Sequence, residues 1–292
     1  MTSINTNINA SSARNALARN SEVQSKVMES LSTGKKINRA SDDVAGISIR
    51  ETMTAQINGL NAAVRNANDS IAMLQTADGA LSEVSSMMQR MREMSVLATN
   101  DTYSTTQKTA LDSEYQALYS QIDKIASNTQ WNNQDLLTGA GGPAGTGSAG
   151  VFTFQVGANA GDTFTVTIAA QNITSGLAAG SAAATGAYAA LSGTAIATYA
   201  GAAAATAALD TAISALNTQR GTIGAAVNRL THAVDNLTSV SQNASESRSK
   251  VEDTDYATAT SDLARTQIIQ QAATAILAQA NQQPQSVLSL LK

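Results

Sequence analysis

The stretch MTAQINGLNAAVRNANDSIAMLQTADGALSEVSSMMQRM, residues 53–91, decides the fold. Its apolar residues stand at Met53, Ile57, Leu60, Val64, Ala67, Ile71 and Leu74, in alternating steps of four and three, and continue through Ala77, Leu81, Val84, Met88 and Met91. Such steps keep side chains on one face of a 3.6-residue turn, so the segment reads as an amphipathic helix. One line recurs at sevens throughout. Its partner line drifts from four residues beyond it, up to Ile71, to three beyond it, from Ala77 onward, as a straight helix does against an ideal heptad. The pattern predicts one helix from near Asp42 to near Thr99, about 55 residues and, at ~1.5 Å per residue, roughly 80 Å long. That is far longer than the usual globular helix.

Two further seams follow. Leu111, Tyr115, Leu118, Ile122 and Ile125 come after a polar break at residues 100–104 that supplies turn and capping residues, and predict a shorter helix folding back. Leu209, Ile213, Leu216, Ile223, Val227, Leu230, Val234 and Leu237, continuing through Ala244 to Val251, predict a long partner for the first helix. Seams of this kind are the core of a helical bundle with nothing bound in it. Between the second and third seams the chemistry changes. GAGGPAGTGSAG (139–150) is a link. Phe152, Phe154 and Val156, then Phe164, Val166 and Ile168, alternate with polar residues around GANAGD, which predicts a β-hairpin with one apolar face. Two strands alone are marginal, so that face is expected to pack on the bundle. Residues 175–206, mostly Ala, Gly, Ser and Thr, are a biased segment that fits either a small surface cap or a loop. The fold class is mainly α: long antiparallel helices in a coiled-coil-like bundle with a small β-hairpin.

The chain ends are striped as well. Ile4, Ile8, Leu17, Val23, Val27 and Leu31 at one end, and Leu263, Ile269, Ile276, Val287 and Leu290 at the other, show helical spacing, and neither end can bury its stripe alone. Such segments order when they meet each other or neighbouring copies. The alternative is a single capped bundle into which both ends dock. Composition agrees with helices packed closely: 43% of the 292 residues are apolar, yet only 3% are aromatic and two are proline, so the apolar mass is largely alanine.

Other classes are disfavoured. A net charge of −4, from 18 basic and 22 acidic residues, gives no footprint for nucleic acid or an anionic membrane surface. No cysteine exists for a disulfide, a thiolate site or a nucleophile. The first residues, MTSINTNINA, lack the features of a secretory signal peptide, and no run of about 18 apolar residues could span a bilayer; those signals alone indicate the cytoplasm. His232 is the single histidine and has no second imidazole or thiolate to complete a metal site. GAGGPA at 139–144 fits the letters of a dinucleotide fingerprint without a preceding parallel-strand pattern. Ser41, Asp42 and Asp43 are expected to cap the long helix rather than to act as acid and base, and Gly34 and Gly46 to allow a turn and close packing. No catalytic residue, cofactor or metal is expected.

The residues also carry a resemblance. INTNINASSARNALARN (4–20), LSTGKKINRASDDVAGISIR (31–50), RNANDSIAMLQTADGALSEVSSMMQRMREMSVLATN (65–100) and LARTQIIQQAATAILAQANQQPQSVLSLLK (263–292) closely resemble the two ends of bacterial flagellins, covering roughly 1–138 and 207–292. The resemblance implies a subunit that polymerises into the flagellar filament. Its segments 1–44 and 255–292 would form the filament core, with Ile4, Ile8, Leu17, Val27, Leu31, Leu263, Ile269, Ile276, Val287 and Leu290 packed there. The parts 45–138 and 207–254 would form the surrounding helical layer, whose seam is Met53, Ile57, Leu60, Val64, Ile71, Leu74, Leu81, Met88, Leu216, Ile223, Val227, Leu230, Val234 and Leu237. The span 139–174 would carry the link and the hairpin, and 175–206 would be a reduced central insertion, all that remains of a variable outer domain.

The resemblance further implies export through the flagellar type III pathway without a cleaved signal, which replaces the cytoplasmic reading. Its implied partners are other copies of the chain, an export chaperone on about Leu263 to Lys292, and the filament cap and hook-junction proteins. Gln89, Arg90 and Glu93, with Glu114, match the patch by which many flagellins contact neighbouring subunits and are sensed by Toll-like receptor 5, although Leu97 stands where Gln is common. Some flagellins hold a central zinc protease, but here the central region has no histidine. A hook-filament junction protein shares similar ends; the match through the long helix and the short chain favour the filament subunit. A carbohydrate-binding surface role has little aromatic residue to support it, with three Phe and one Trp.

Overall fold

The computed structural model describes residues 7–139, 150–171, 191 and 193–290, the side chains of 283–290 excepted. Two sequence readings lie outside the described residues: most of the Gly-rich link (140–149), and the biased segment over 175–190. Ile4 lies outside them too, as do the side chains of Val287 and Leu290. The chain forms two compact units, residues 58–241 and residues 1–57 with 242–292. Two long helices, α2 (Val44–Ala98) and α4 (Tyr199–Glu252), contribute to both.

In the unit 58–241, α2 and α4 run antiparallel, since partners fall along α4 as they rise along α2: Asn61 with Ser241 (3.0 Å), Asp78 with Arg220 (2.8 Å), Arg92 with Asp210 (2.5 Å). Helix α3 (Thr105–Asn128) folds back after a short turn. It starts at a capping box in which Ser104 accepts from the Gln107 N–H and the Gln107 side chain accepts from the Ser104 N–H, satisfying two donors that a helix start leaves free. The core is a single cluster along the predicted seams, including Leu74, Leu81, Met88, Met91, Tyr115, Ile122, Leu216, Ile223 and Leu230, and it extends one step further to Met94. Alanines such as Ala67, Ala77, Ala202 and Ala205 are fully buried among them, and with a methyl side chain they let backbones approach where larger residues could not fit. The Tyr115 hydroxyl is 2.9 Å from that of Thr194, tying α3 to the segment that leads into α4. Burial raises the Tyr115 pKa.

The hairpin forms as predicted: β3 (Val151–Gln155) pairs antiparallel with β4 (Thr163–Thr167), Phe152 opposite Val166. Phe152, Val166 and Ile168 are buried in the helical core while Thr153, Thr163, Thr165 and Thr167 face out. The helices also grip the hairpin by polar contacts. Gln219 of α4 donates to the Thr167 carbonyl and accepts from the Ala169 N–H, and Arg229 lies 4.6 Å over the Phe164 ring. A second small ladder was not foreseen: β1 (Gln130–Trp131) pairs with β2 (Gln134–Asp135) across a two-residue turn, Asn132 and Asn133, both at positive φ. Helix α4 also begins earlier than its large apolar residues indicate, at Tyr199 within the biased segment.

In the other unit, α1 (Ile8–Thr33) packs along α5 (Tyr256–Leu290). The pair is antiparallel, with Asn7 donating to the Ala280 carbonyl and Asn20 to that of Thr266, each at 2.8 Å. The two ends of the chain thus meet each other. Helix α1 ends at Gly34, whose φ of +72° is left-handed backbone that a side chain would strain. Lys35 then bridges Asp253 in a short antiparallel contact, and the Lys36 and Thr254 N–H groups donate to Glu252 and Gly34 carbonyls.

Candidate assembly faces

The terminal pair has two unlike sides. Ala10, Asn20, Ala259, Thr266 and Ala280 are buried, and Leu17, Val27, Leu31 and Leu263 are half-buried. Small residues let the helices approach, and the Asn20 amide, buried on that seam, is satisfied by a backbone carbonyl of the partner helix. Asn20 carries no apolar signal, which is why periodicity did not select it. On the outer side Ile8 is 68% exposed, Ile276 61% and Ile269 44%, with Val23, Met28 and Ile268 also exposed. Three predicted core-packing residues therefore lie outside the intramolecular seam. On α5 this is not a charged face, because that helix has no charged residue from Thr266 to Leu290, whereas α1 also exposes Arg14, Arg19, Glu22 and Lys26.

The corners of this unit are held by charge. Glu252, its side chain 8% exposed, sits 2.5 Å from Lys35 and within 4.0 Å of Arg50 and Arg248. Three cations around one buried carboxylate join the α1–α2 and α4–α5 junctions. Asp42 makes a second staple: it pairs with Lys26 at 2.8 Å and accepts from the Asn38 and Arg39 N–H groups. For Asp42 the expected cap is thus corrected, because its carboxylate turns back to the preceding loop, where two free N–H donors and a cation outcompete the helix start. Asp43 precedes the helix, and its carbonyl accepts from the Ile47 N–H. The hydrogen bond from Lys26, with that from the Arg39 backbone, lowers its pKa. Gly46 fills the expected role of close packing, since a Cβ there would collide with Ile37 and Asp43.

Along the helical layer, Ile57, Leu60, Leu74, Leu81, Met88, Leu216, Ile223 and Leu230 are buried, while Met53, Val64, Ile71, Val227, Val234 and Leu237 are half-buried. Gln89, Arg90, Glu93 and Glu114 form an exposed patch in which Arg90 bridges Glu93 (2.7 Å) and Glu114 (3.1 Å), linking α2 to α3. Those two carboxylates, Glu93 first, raise the Arg90 pKa. Met91, between them in sequence, is fully buried. His232 is exposed, and among the described residues no group of side chains could hold a metal ion. No described helix is long and apolar enough to cross a membrane.

Long antiparallel helices, and terminal helices that pair yet keep Ile8, Ile269 and Ile276 exposed, are features of a structural subunit. The bacterial flagellin N-terminal helical region matches residues 4–141 and the bacterial flagellin C-terminal helical region residues 206–291. Over 99% of both chains, the protein is 38% identical to flagellins of Halalkalibacterium halodurans and Bacillus subtilis. The crystal structure of Bacillus cereus flagellin is similar at 30% identity and a TM-score of 0.47, covering 59% of this chain and 88% of that one. The chain belongs to the bacterial flagellins: it is a short member of that family and a structural subunit of the extracellular flagellar filament, the helical polymer of motility.

Proposed function

We propose that the filament grows by burying the outer faces of α1 and α5 against neighbouring copies, with Ile8, Ile269 and Ile276 among the contact residues and Leu17, Val27, Leu31 and Leu263 holding the pair together. The observation that carries this reading is the set of isoleucines left exposed on the pair, Ile8 on α1 and Ile269 and Ile276 on a stretch of α5 that carries no charge. Burial at ~25 cal/mol per Å² must exceed an ordering cost of about 1 to 2 kcal/mol per backbone residue, a near-balance that favours growth at an already ordered end. Contacts of unlike surfaces that do not close into a ring extend into an open helix. Ile4, Val287 and Leu290 belong to the same contact set.

Electron microscopy of the seeded chain tests this beside a version lacking roughly residues 1–40 and 255–292. Filaments from the first and a soluble helical monomer from the second are expected; filaments from both would refute it. The finer partners follow from the same reading. The chain leaves through the flagellar type III pathway, an export chaperone covers about Leu263 to Lys292, whose apolar stripe needs a temporary partner, and the subunit joins between the hook-junction proteins and the cap. A chaperone complex that survives removal of 263–292 would refute the placement. The exposed Gln89, Arg90, Glu93 and Glu114 serve first as a subunit contact and second as the face sensed by Toll-like receptor 5; unchanged receptor signalling by an Arg90→Ala monomer would exclude the second role.

A further inference from the structure

Beside the β1–β2 turn the fold opens a cleft of about 300 Å³. Two of the chain's few aromatic side chains, Trp131 and Phe154, both partly buried against the core, line it together with Asp69, Asn132, Gln134 and Thr153. We propose that this cleft binds a neutral oligosaccharide.

The chemistry of the lining selects that class. Amide, hydroxyl and carboxylate groups match sugar hydroxyls, each of which both donates and accepts, whereas an apolar ligand would strip water from them without return. Aromatic rings carry a negative face that suits the polarised C–H face of a pyranose ring. Asp69 is the one charged residue in the lining. Its carboxylate can accept from two neighbouring hydroxyls and repels anionic sugars. The groups are also available. Among the described residues, the side chains of Asp69, Asn132, Gln134 and Thr153 have no hydrogen-bond or ion partner within the chain.

The site is framed by a defined turn and a contact between helix and strand. Asn132 and Asn133 occupy left-handed backbone at φ 48° and 62°, which asparagine tolerates better than most residues, and this two-residue turn sets Trp131 directly opposite Gln134. The Asn66 amide of α2 donates to the Gln155 carbonyl of β3 at 3.3 Å, joining the walls. A preformed cleft loses little entropy on binding.

Trp131 is the sole tryptophan and so reports on its own site. The full-length monomer is titrated with cellotetraose, chitotetraose and maltotetraose, following tryptophan emission and heat. A saturable emission change with matching heat is expected for at least one sugar, weakened about tenfold or more in Asp69→Ala/Gln134→Ala. Both positions are exposed and unbonded, so that variant is expected to keep the native circular dichroism. The proposal is overturned if no sugar gives a saturable signal up to about 20 mM, an affinity too weak to select any ligand. It is equally overturned if the double variant titrates like the native chain.

Discussion

Asp42 illustrates how far a single residue can be read from its neighbours in sequence. Its position just before a long apolar run is that of a cap, and only the fold shows that Lys26, from α1, and the 38–39 backbone claim the carboxylate instead. Glu252 is similar. Nothing in its local sequence shows that Lys35 and Arg50, some two hundred residues earlier, will surround it. Charge partners across long sequence separations are invisible to periodicity, while Gly34 and Gly46 were legible because their constraints are local. The Asp42 staple has a pH signature. Its folded pKa is lowered from the ordinary 3.8, so the stabilisation is present above that unfolded value and is lost as pH falls through the depressed folded one. In thermal melts the native chain should exceed Asp42→Asn by a constant margin at neutral and mildly acidic pH. The margin should close below about pH 4. A margin that persisted at lower pH would mean that the ionised carboxylate is not what holds the loop.

At the scale of elements, the helices were legible where large apolar residues repeat, and less so where they do not. The predicted span from near Asp42 to near Thr99 became Val44–Ala98, because its seam alternates Leu, Ile, Val and Met with polar residues. The start of α4 was hidden, since in an alanine-rich stretch the buried Ala202 and Ala205 look like their exposed neighbours. The β1–β2 ladder was missed for a related reason: two-residue strands have no period, and only the Asn-Asn pair hinted at a left-handed turn. The β3–β4 hairpin was legible by strict alternation, and its packing follows from physics, as two strands cannot hold an apolar face in water. Phe152, 3% exposed, anchors that packing. Phe152→Ala removes the ring and leaves a cavity between hairpin and helices, and should cost about 3 kcal/mol of stability in the 58–241 unit. Urea unfolding measures it; a loss below about 1 kcal/mol would mean the hairpin is an ornament on a core complete without it.

For the whole molecule, the terminal stripes announced that the ends must pack, but one sequence could not divide the stripe between a partner helix and a neighbouring copy. The structure makes that division testable, because it separates the half-buried Leu17 and Leu263 from the exposed Ile8, Ile269 and Ile276. Residues that serve the intramolecular pair should matter before assembly. Leu17→Ser/Leu263→Ser should therefore loosen α1 and α5 in the monomer, seen as faster amide exchange there. Residues that serve only neighbours should matter after it. Ile8→Ser/Ile269→Ser/Ile276→Ser should leave monomer helicity and exchange unchanged, since those side chains already stand in water. Each isoleucine that would otherwise be buried forfeits about 1 to 2 kcal/mol, its present partial contacts discounted. At about 1.4 kcal/mol per factor of ten, the critical concentration for seeded growth should rise by roughly tenfold per substitution. Sedimentation of polymer against total protein reads that concentration directly. If the triple variant polymerises at the native threshold, the outer face is not an interface, and subunit contacts must lie on the helical layer instead.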